Sequence, residues 1–411
     1  MASISGWIDR RSIRYERPTC FCFRIHDGGQ RSKRWSTTIK QQDLKSHMAF
    51  RFEIKTERNR TFASVTGYDG PVRTLFVPAE TADHIPVEEI AGRAFASRAD
   101  LEELILPESI RCIRSFAFHN CAHLHYVKLS DSVVDYYDGA LRQCPELQDI
   151  ELTLHTPGHF RLLKELVGDS DAMLPLTIHF PVDPTHPRAD EHFFLPDAMA
   201  ASHSITAAGA HVEATPLFQS RADGRYYATA ALTFPSYADN YQEDTMARAI
   251  HEHIEGAGYA TRQLVTRTGI DFQGYDRQFP RFTYDEPASA VNAAFGRLMH
   301  PYRLESSFRA QYEDYLRAQS PTILPRMLRG EREERFGQEG ELRWIPQDSA
   351  RTAERLSFLV THELILEEAI QPALDVCTEV QDITSAALLM DYNRKHFAAA
   401  GTGSGPEIFE L

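Results

Sequence analysis

The sequence predicts a mixed α/β protein with three parts in series: a short solenoid of repeats, a mixed α/β middle block and an all-helical C-terminal region. Three observations carry that reading. Ala94-Phe95 recurs as Ala117-Phe118 and Ala140-Leu141, each 23 residues on. Strand-like alternation persists beyond the last copy, at Leu174, Leu176, Ile178 and Phe180. From Ala288 onward the apolar residues fall at helical spacing.

The repeat holds at further positions: Leu101, Leu124 and Leu147; Leu104, Val127 and Ile150; Leu106, Leu129 and Leu152; Cys121 and Cys144. Within one turn, Leu104-Ile105-Leu106 forms a short strand with Leu104 and Leu106 directed inward. Pro107 has no N–H for a sheet ladder and ends it. Ile110 and Ile113 sit at helix-like spacing on the return path, Phe118 fills the centre and Leu124 closes the turn. One turn cannot bury its apolar face, so neighbours stack to do it. Leu75 to Phe95 fits the same scheme with six extra residues. Upstream, Phe50, Phe52 and Ile54 alternate directly after Met48, which is expected to start the fold.

Past Leu152 the register is lost. Phe160 to Val167 reads as a helix ended by Gly168-Asp169, and Leu174 to Phe180 as a strand. Pro181, Pro184 and Pro187 break the chain, Tyr226 to Phe234 forms another strand, and a helix spans Asp244 to His253. Helical stripes then follow: Val291, Phe295, Leu298 and Met299; Phe308, Tyr312, Tyr315 and Leu316; Leu356, Phe358 and Leu359; Ile370 and Leu374; Ala386, Leu389 and Met390. The charged stretch Glu331 to Asp348 reads as an exposed loop. The expected division is a basic extension (1–47), solenoid (48–155), linking block (156–285), helical region (286–398) and flexible Gly-rich tail (399–411).

Charge narrows the functional classes. Lys and Arg number 44 against 58 Asp and Glu, a net of −14 over 411 residues, which disfavours nucleic acid and anionic membranes as partners. Residues 1–47 alone carry +6, leaving −20 for the other 364. That opening segment has no apolar run long enough for a signal peptide, and no stretch suits a membrane span. Six cysteines without a C-x-x-C pair point to reduced thiols in a cytoplasmic protein.

The motif Leu104-x-Leu-Pro-x-x-Ile110-x-x-Ile113, then Ala117-Phe118-x-x-Cys121-x-x-Leu124, resembles the BspA-type leucine-rich repeats over roughly residues 66–155. In the third copy, Val133-Val134-Asp135-Tyr136 and Leu141 depart from it, as a terminal turn relaxing toward a cap does. The resemblance implies a right-handed β-solenoid-like horseshoe and a binding role, with no catalysis; some relatives are secreted surface proteins. Leu364 to Ile370, followed by Ala387-Leu388-Leu389-Met390-Asp391-Tyr392, resembles a degenerate ankyrin-type helical pair. The whole arrangement is similar to uncharacterised intracellular bacterial proteins, from which no activity transfers.

Catalytic signatures are sparse. There is no Gly-Lys dipeptide for a P-loop, no Gly-x-Ser-x-Gly elbow and no His-Glu-x-x-His zinc helix. His251, His253 and Glu255 would share one face of a strand and could ligate zinc, but in a helix they diverge. Met246, Ala249 and Ile250 favour the helix, with Gly256 at C′. His119, His123 and His125 read as solvated repeat positions, and Cys121 and Cys144 as a buried structural slot. Tyr136-Tyr137 is either a cap packing on the last turn or an exposed anchor.

The function expected is a non-enzymatic protein–protein interaction scaffold without a cofactor. It would present the outward strand residues Glu103, Ile105, Tyr126, Lys128, Asp149 and Glu151 to a protein partner. The alternatives are an enzyme with a site between His251 and Asp276, drawing on Arg262, Arg267, Asp271 and Tyr275, and a surface adhesin.

Overall fold

The computed structural model describes residues 49–182, 218–220, 226–242, 250–336, 341–346 and 349–397. The basic extension and the Gly-rich tail lie outside the described residues. The described chain opens on an antiparallel hairpin, β1 (Phe50–Glu57) and β2 (Arg60–Tyr68). Arg58 and Asn59, both left-handed at φ 48° and 64°, form its two-residue turn.

Short strands then alternate between two sheets: β3 (Thr74–Phe76), β4 (Val87–Ile90), β5 (Glu103–Ile105), β6 (Cys112–Ile113), β7 (Tyr126–Ser130), β8 (Asp135–Tyr136) and β9 (Asp149–Thr153). β3, β5, β7 and β9 pair in parallel in one sheet, while β2, β4, β6 and β8 pair in parallel in the other. Leu75, Leu104, Val127 and Ile150 occupy one register row and are buried together. Between the sheets the rings of Phe95 and Phe118 stack with centroids 5.3 Å apart. The return path is extended rather than helical. Ile110 follows a turn closed on Pro107, and Ile113 lies in β6. Two apolar residues three apart suit a turn plus an extended residue as well as a helical stripe, and 23 residues leave little chain for a helix.

The period also governs the backbone. Arg93, Phe116 and Gly139 are left-handed (φ 58°, 60°, 71°), as are Ser97, Asn120 and Gln143 (φ 60°, 60°, 62°), each set recurring at 23-residue steps. Only Gly139 is a glycine. A Cβ there would lie 2.5 Å from the Phe116 ring one turn below.

The first sheet runs on past the last repeat. After helix α1 (Arg161–Gly168) come β10 (Leu174–Val182), β11 (Phe218–Ser220) and β12 (Tyr226–Phe234), giving the order β11-β12-β10-β9-β7-β5-β3. β10 lies parallel to β9 with Leu176 opposite Ile150, so the inward row continues although the 23-residue spacing does not. Pro181 does not end β10, which pairs with β12 through Val182. Asp169, at the C-cap of α1, accepts the Tyr136 hydroxyl (2.7 Å), Gly139 N–H (2.5 Å) and Leu141 N–H (3.1 Å). Tyr136 is therefore a cap contact, while Tyr137 beside it is 40% exposed.

β13 (Ala238–Gln242) and β14 (Ile250–Glu255) form an antiparallel hairpin where a helix was expected to reach His253. Residues 243–249 lie outside the described residues. An available pairing partner overrides a weak local helical pattern. Helices α2 (Gly258–Gln263), α3 (Phe272–Arg277), α4 (Phe279–Asp285), α5 (Pro287–Met299) and α6 (Ser306–Leu328) follow. Helix α6 runs through Pro321 and Pro325. The expected loop at 331–348 is instead a second hairpin, β15 (Glu331–Phe336) with β16 (Glu341–Pro346). Backbone pairing satisfies such a ribbon, so a charged composition does not reveal it. Helices α7 (Ser349–Thr361), α8 (Glu367–Glu379) and α9 (Ile383–His396) complete the described chain.

The helical region docks on the end of the first sheet. In α5, Ala290, Ala293 and Ala294 are buried, and a Cβ on Gly296 would lie 2.8 Å from the carbonyl oxygen of Ala231 in β12. A small-residue face lets the helix approach the strand backbone closely.

Candidate functional site

The outward face of the first sheet brings the six sequence-selected residues together. Parallel register places Thr74, Glu103, Tyr126 and Asp149 in one row, and Phe76, Ile105, Lys128 and Glu151 in the next. This follows from strand geometry alone. Alternation turns every second residue outward, and the repeat aligns those residues across strands.

The two ends of the face differ. At the β9 and β10 end the polar groups are tightly engaged. Glu151 accepts the Tyr126 hydroxyl, the Lys128 ammonium at 2.6 Å and a contact from His179 Nε2 at 3.3 Å. Burial opposes its charge, but the hydrogen bonds from His179, Lys128 and Tyr126 outweigh this and hold the carboxyl well below the usual range. Asp149 accepts Thr177 Oγ1 at 3.0 Å and faces Arg351 of α7 at 3.4 Å. Its carboxyl is pushed up by burial, against the opposing pull of Arg351. Arg351 also donates to the Gln148 carbonyl at 3.1 Å, so α7 closes over this end. His300, just after α5, is shifted down to about 4 by burial, with His179 and Arg351 adding like charge.

At the β3 and β5 end, apolar and charged side chains alternate. Phe76 is 43% exposed, and Ile105 beside it is half-buried. Glu103 accepts Thr74 Oγ1 at 3.0 Å and lies 3.8 Å from His125 Nε2, whose basicity the Glu103 hydrogen bond raises. The sequence could not foresee His179, Thr177, His300 or Arg351 here. Gln148 and Arg351 are 203 positions apart, and no local pattern joins them.

The described polar residues named for the alternative site in the middle block make internal ties. Arg262 donates from Nε to the Val167 carbonyl at 2.9 Å, from Nη2 to that of Ala172 at 2.6 Å and from Nη1 to that of Pro235. Asp276 binds Arg297 through both oxygens at 2.8 and 2.9 Å and accepts Tyr312 at 2.8 Å, all three side chains being fully buried. The Tyr275 hydroxyl donates to the Thr233 carbonyl at 2.7 Å, Asp271 caps α3, and Arg267 meets Glu165 at 3.4 Å. His251 and His253 lie in β14 on either side of a register shift opposite Asn240 and Tyr241, which interrupts the regular alternation there. The side chains of His251, His253 and Glu255 lie outside the described residues. Among the described residues no group of three or more His, Cys, Asp or Glu is placed to hold a metal ion. Of the repeat histidines, His119 packs edge-on against Phe116 and His123 meets Glu146 at 3.1 Å.

Comparison with known proteins agrees with the repeat geometry. Residues 84–158 match the model of the BspA type leucine rich repeat region in six copies, and this part of the chain is a BspA-type leucine-rich repeat solenoid. Among solved structures, the chain is similar to a leucine-rich repeat protein from Bacteroides ovatus at 22% identity and a TM-score of 0.22, covering 26% of this chain and 30% of that one. It is similar to a leucine rich cell surface protein from Faecalibacterium prausnitzii at 23% identity and a TM-score of 0.18, covering 25% and 28%. A leucine-rich repeat protein of T. pallidum gives 23% identity and a TM-score of 0.18, covering 25% of this chain and 68% of that one. The chain thus spans under a third of the first two. No curated protein matches it. The match to repeats ends at residue 158, before the helical C-terminal region. Among the described residues no helix is long and apolar enough to cross a membrane.

Proposed function

We propose that the protein is a non-catalytic, cytoplasmic interaction scaffold that binds another protein through the β3, β5 and β7 end of the first sheet. Leucine-rich repeat proteins commonly mediate protein–protein contact or surface adhesion, and stacked repeats offer an extended face for it. The observation that carries the reading is the alternation of Phe76 and Ile105 with Glu103 and Lys128 in aligned rows. Apolar anchors ringed by charge are what a protein interface uses at its centre.

The test is affinity purification of the tagged chain from its native cells, with mass spectrometry of co-purifying proteins. The Ile105→Arg variant is run beside it. Loss of a stoichiometric partner from the variant, at an unchanged melting temperature, supports the proposal. Equal recovery by both forms, or no stoichiometric partner for either, removes it. Fractionation placing the protein outside the cell would overturn the cytoplasmic part, and one equivalent of metal in the purified protein would overturn the non-catalytic part.

A further inference from the structure

Cys121 and Cys144 occupy the same position of successive turns, 23 residues apart. Hydrogen bonds from Phe118 N–H to the Ala140 carbonyl (2.9 Å) and from Asn120 N–H to that of Arg142 (3.0 Å) before Cys121, and from Gln148 N–H to the His125 carbonyl (2.8 Å) after it, hold those turns in register. Two such Cα atoms lie about one strand spacing apart, ~4.8 Å, inside the roughly 4.4–6.8 Å that a disulfide spans. Equivalent repeat positions also direct their Cβ atoms the same way. Each thiol donates to a carbonyl of the turn before, Cys121 to Phe95 (3.2 Å) and Cys144 to Phe118 (3.3 Å).

The position one turn earlier is Arg98, held by Asp100 at 2.6 and 2.9 Å and by the carbonyls of Tyr68 and Gly70. A fixed cation therefore sits beneath Cys121. The neighbouring Cys144 thiol, with help from Arg98, holds the Cys121 thiol below its usual range, while the same pairing and burial push Cys144 up. The other described cysteines have no such neighbour. The positions one turn either side of Cys112 are Glu89 and Asp135, and Cys377 lies alone in α8.

We propose that Cys121 and Cys144 are a redox pair that closes to a disulfide and staples two turns of the solenoid together. The oxidant class is a low-molecular-weight disulfide such as oxidised glutathione. Cys144 is partly exposed whereas Cys121 is fully buried, so the small disulfide meets Cys144 first. During the refolding equilibration, before burial raises it, the Cys144 thiolate attacks one sulfur of the reagent, the reagent's S–S bond breaks, and one small thiol leaves with the proton that Cys144 gave up. The Cys121 sulfur then attacks Cys144 Sγ, the mixed disulfide breaks, and the second small thiol leaves with the Cys121 proton. The protein pair is oxidised by two electrons and the reagent is reduced by two. The closed form gives up the two weak S–H···O bonds and gains a covalent tie between neighbouring turns.

The test uses the full chain, refolded and equilibrated in glutathione buffers stepped from reducing to oxidising, so that burial does not limit access. Free thiols are trapped by alkylation, and digestion with mass spectrometry assigns the links. The expected result is one transition in which the Cys121–Cys144 cross-link appears, Cys112 and Cys377 stay alkylatable, and the unfolding midpoint rises. Cys121→Ser, which keeps a donor for the Phe95 carbonyl, is expected to lose both the cross-link and the rise. Alkylatable Cys121 and Cys144 in the most oxidising buffer would overturn the proposal, as would indiscriminate pairing with the other cysteines. The wild-type peptide map decides between these even if the variant fails to fold.

Discussion

Asp169 ties the last solenoid turn to the helix that follows it, and replacing it tests whether that tie holds the end of the repeat closed. The carboxylate is buried and accepts one hydroxyl and two backbone N–H groups, from Tyr136, Gly139 and Leu141. A hydrogen bond to a charged acceptor contributes about 1.5–3 kcal/mol, and a buried N–H left without a partner costs about 1–3 kcal/mol. The three bonds share one carboxylate and do not add fully, so Asp169→Ala is expected to cost about 3–5 kcal/mol. Burial, and after it the nearby Asp169 carboxylate, pushes the Tyr136 hydroxyl well above its ordinary range, which keeps it a donor. Tyr136→Phe should therefore cost about 1–1.5 kcal/mol, mostly through the lost Asp169 bond. Urea unfolding of the wild type, both single variants and the double variant gives the coupling directly. An Asp169→Ala loss below about 1 kcal/mol, or additive single losses, would refute the reasoning.

The left-handed positions make a paired prediction. Gln143→Gly relieves an exposed non-glycine residue at φ 62° and is expected to stabilise the fold by about 0.5 kcal/mol after the added freedom of the unfolded chain. Gly139→Ala sets a Cβ 2.5 Å from the Phe116 ring at φ 71° and should cost more than about 2 kcal/mol, both read by denaturant titration. His300 predicts a pH window. Its folded-state value, lowered to about 4, lies below the unfolded one, so the unfolded chain binds the extra proton between about 6.5 and 4. Stability should be full above that window and decline as pH falls through it. His300→Gln should flatten the decline in melting temperature across the window; an unchanged slope would discount the residue. Asp100, lowered to about 2 chiefly by its hydrogen bond from Arg98, acts in a second window, with its contribution present above about 3.8 and lost toward 2.

Legibility differed along the chain for physical reasons. Leu104, Val127 and Ile150 could be aligned from their spacing because each turn buries its apolar face on the next, and that constraint is written at a fixed period. Strand β12 and helix α1 were legible because their own residues carry the pattern. The hairpins β13–β14 and β15–β16 were not, because pairing between two segments satisfies backbone groups rather than apolar side chains. The six outward residues at the candidate site were named from strand alternation, but their grading along the sheet was not.

By itself, the sequence determined the period, the inward rows of the solenoid and the outward rows of its face, since all three depend on contacts between equivalent positions of neighbouring turns. Tertiary structure alone decided that the sheet continues through β10 and β12, that Asp169 closes the last turn, and that Arg351 covers Asp149 while Ile105 stays partly open. Those outcomes rest on contacts between segments far apart in the chain. A periodic pattern records only what repeats; a single long-range ion pair or cap leaves no period to read.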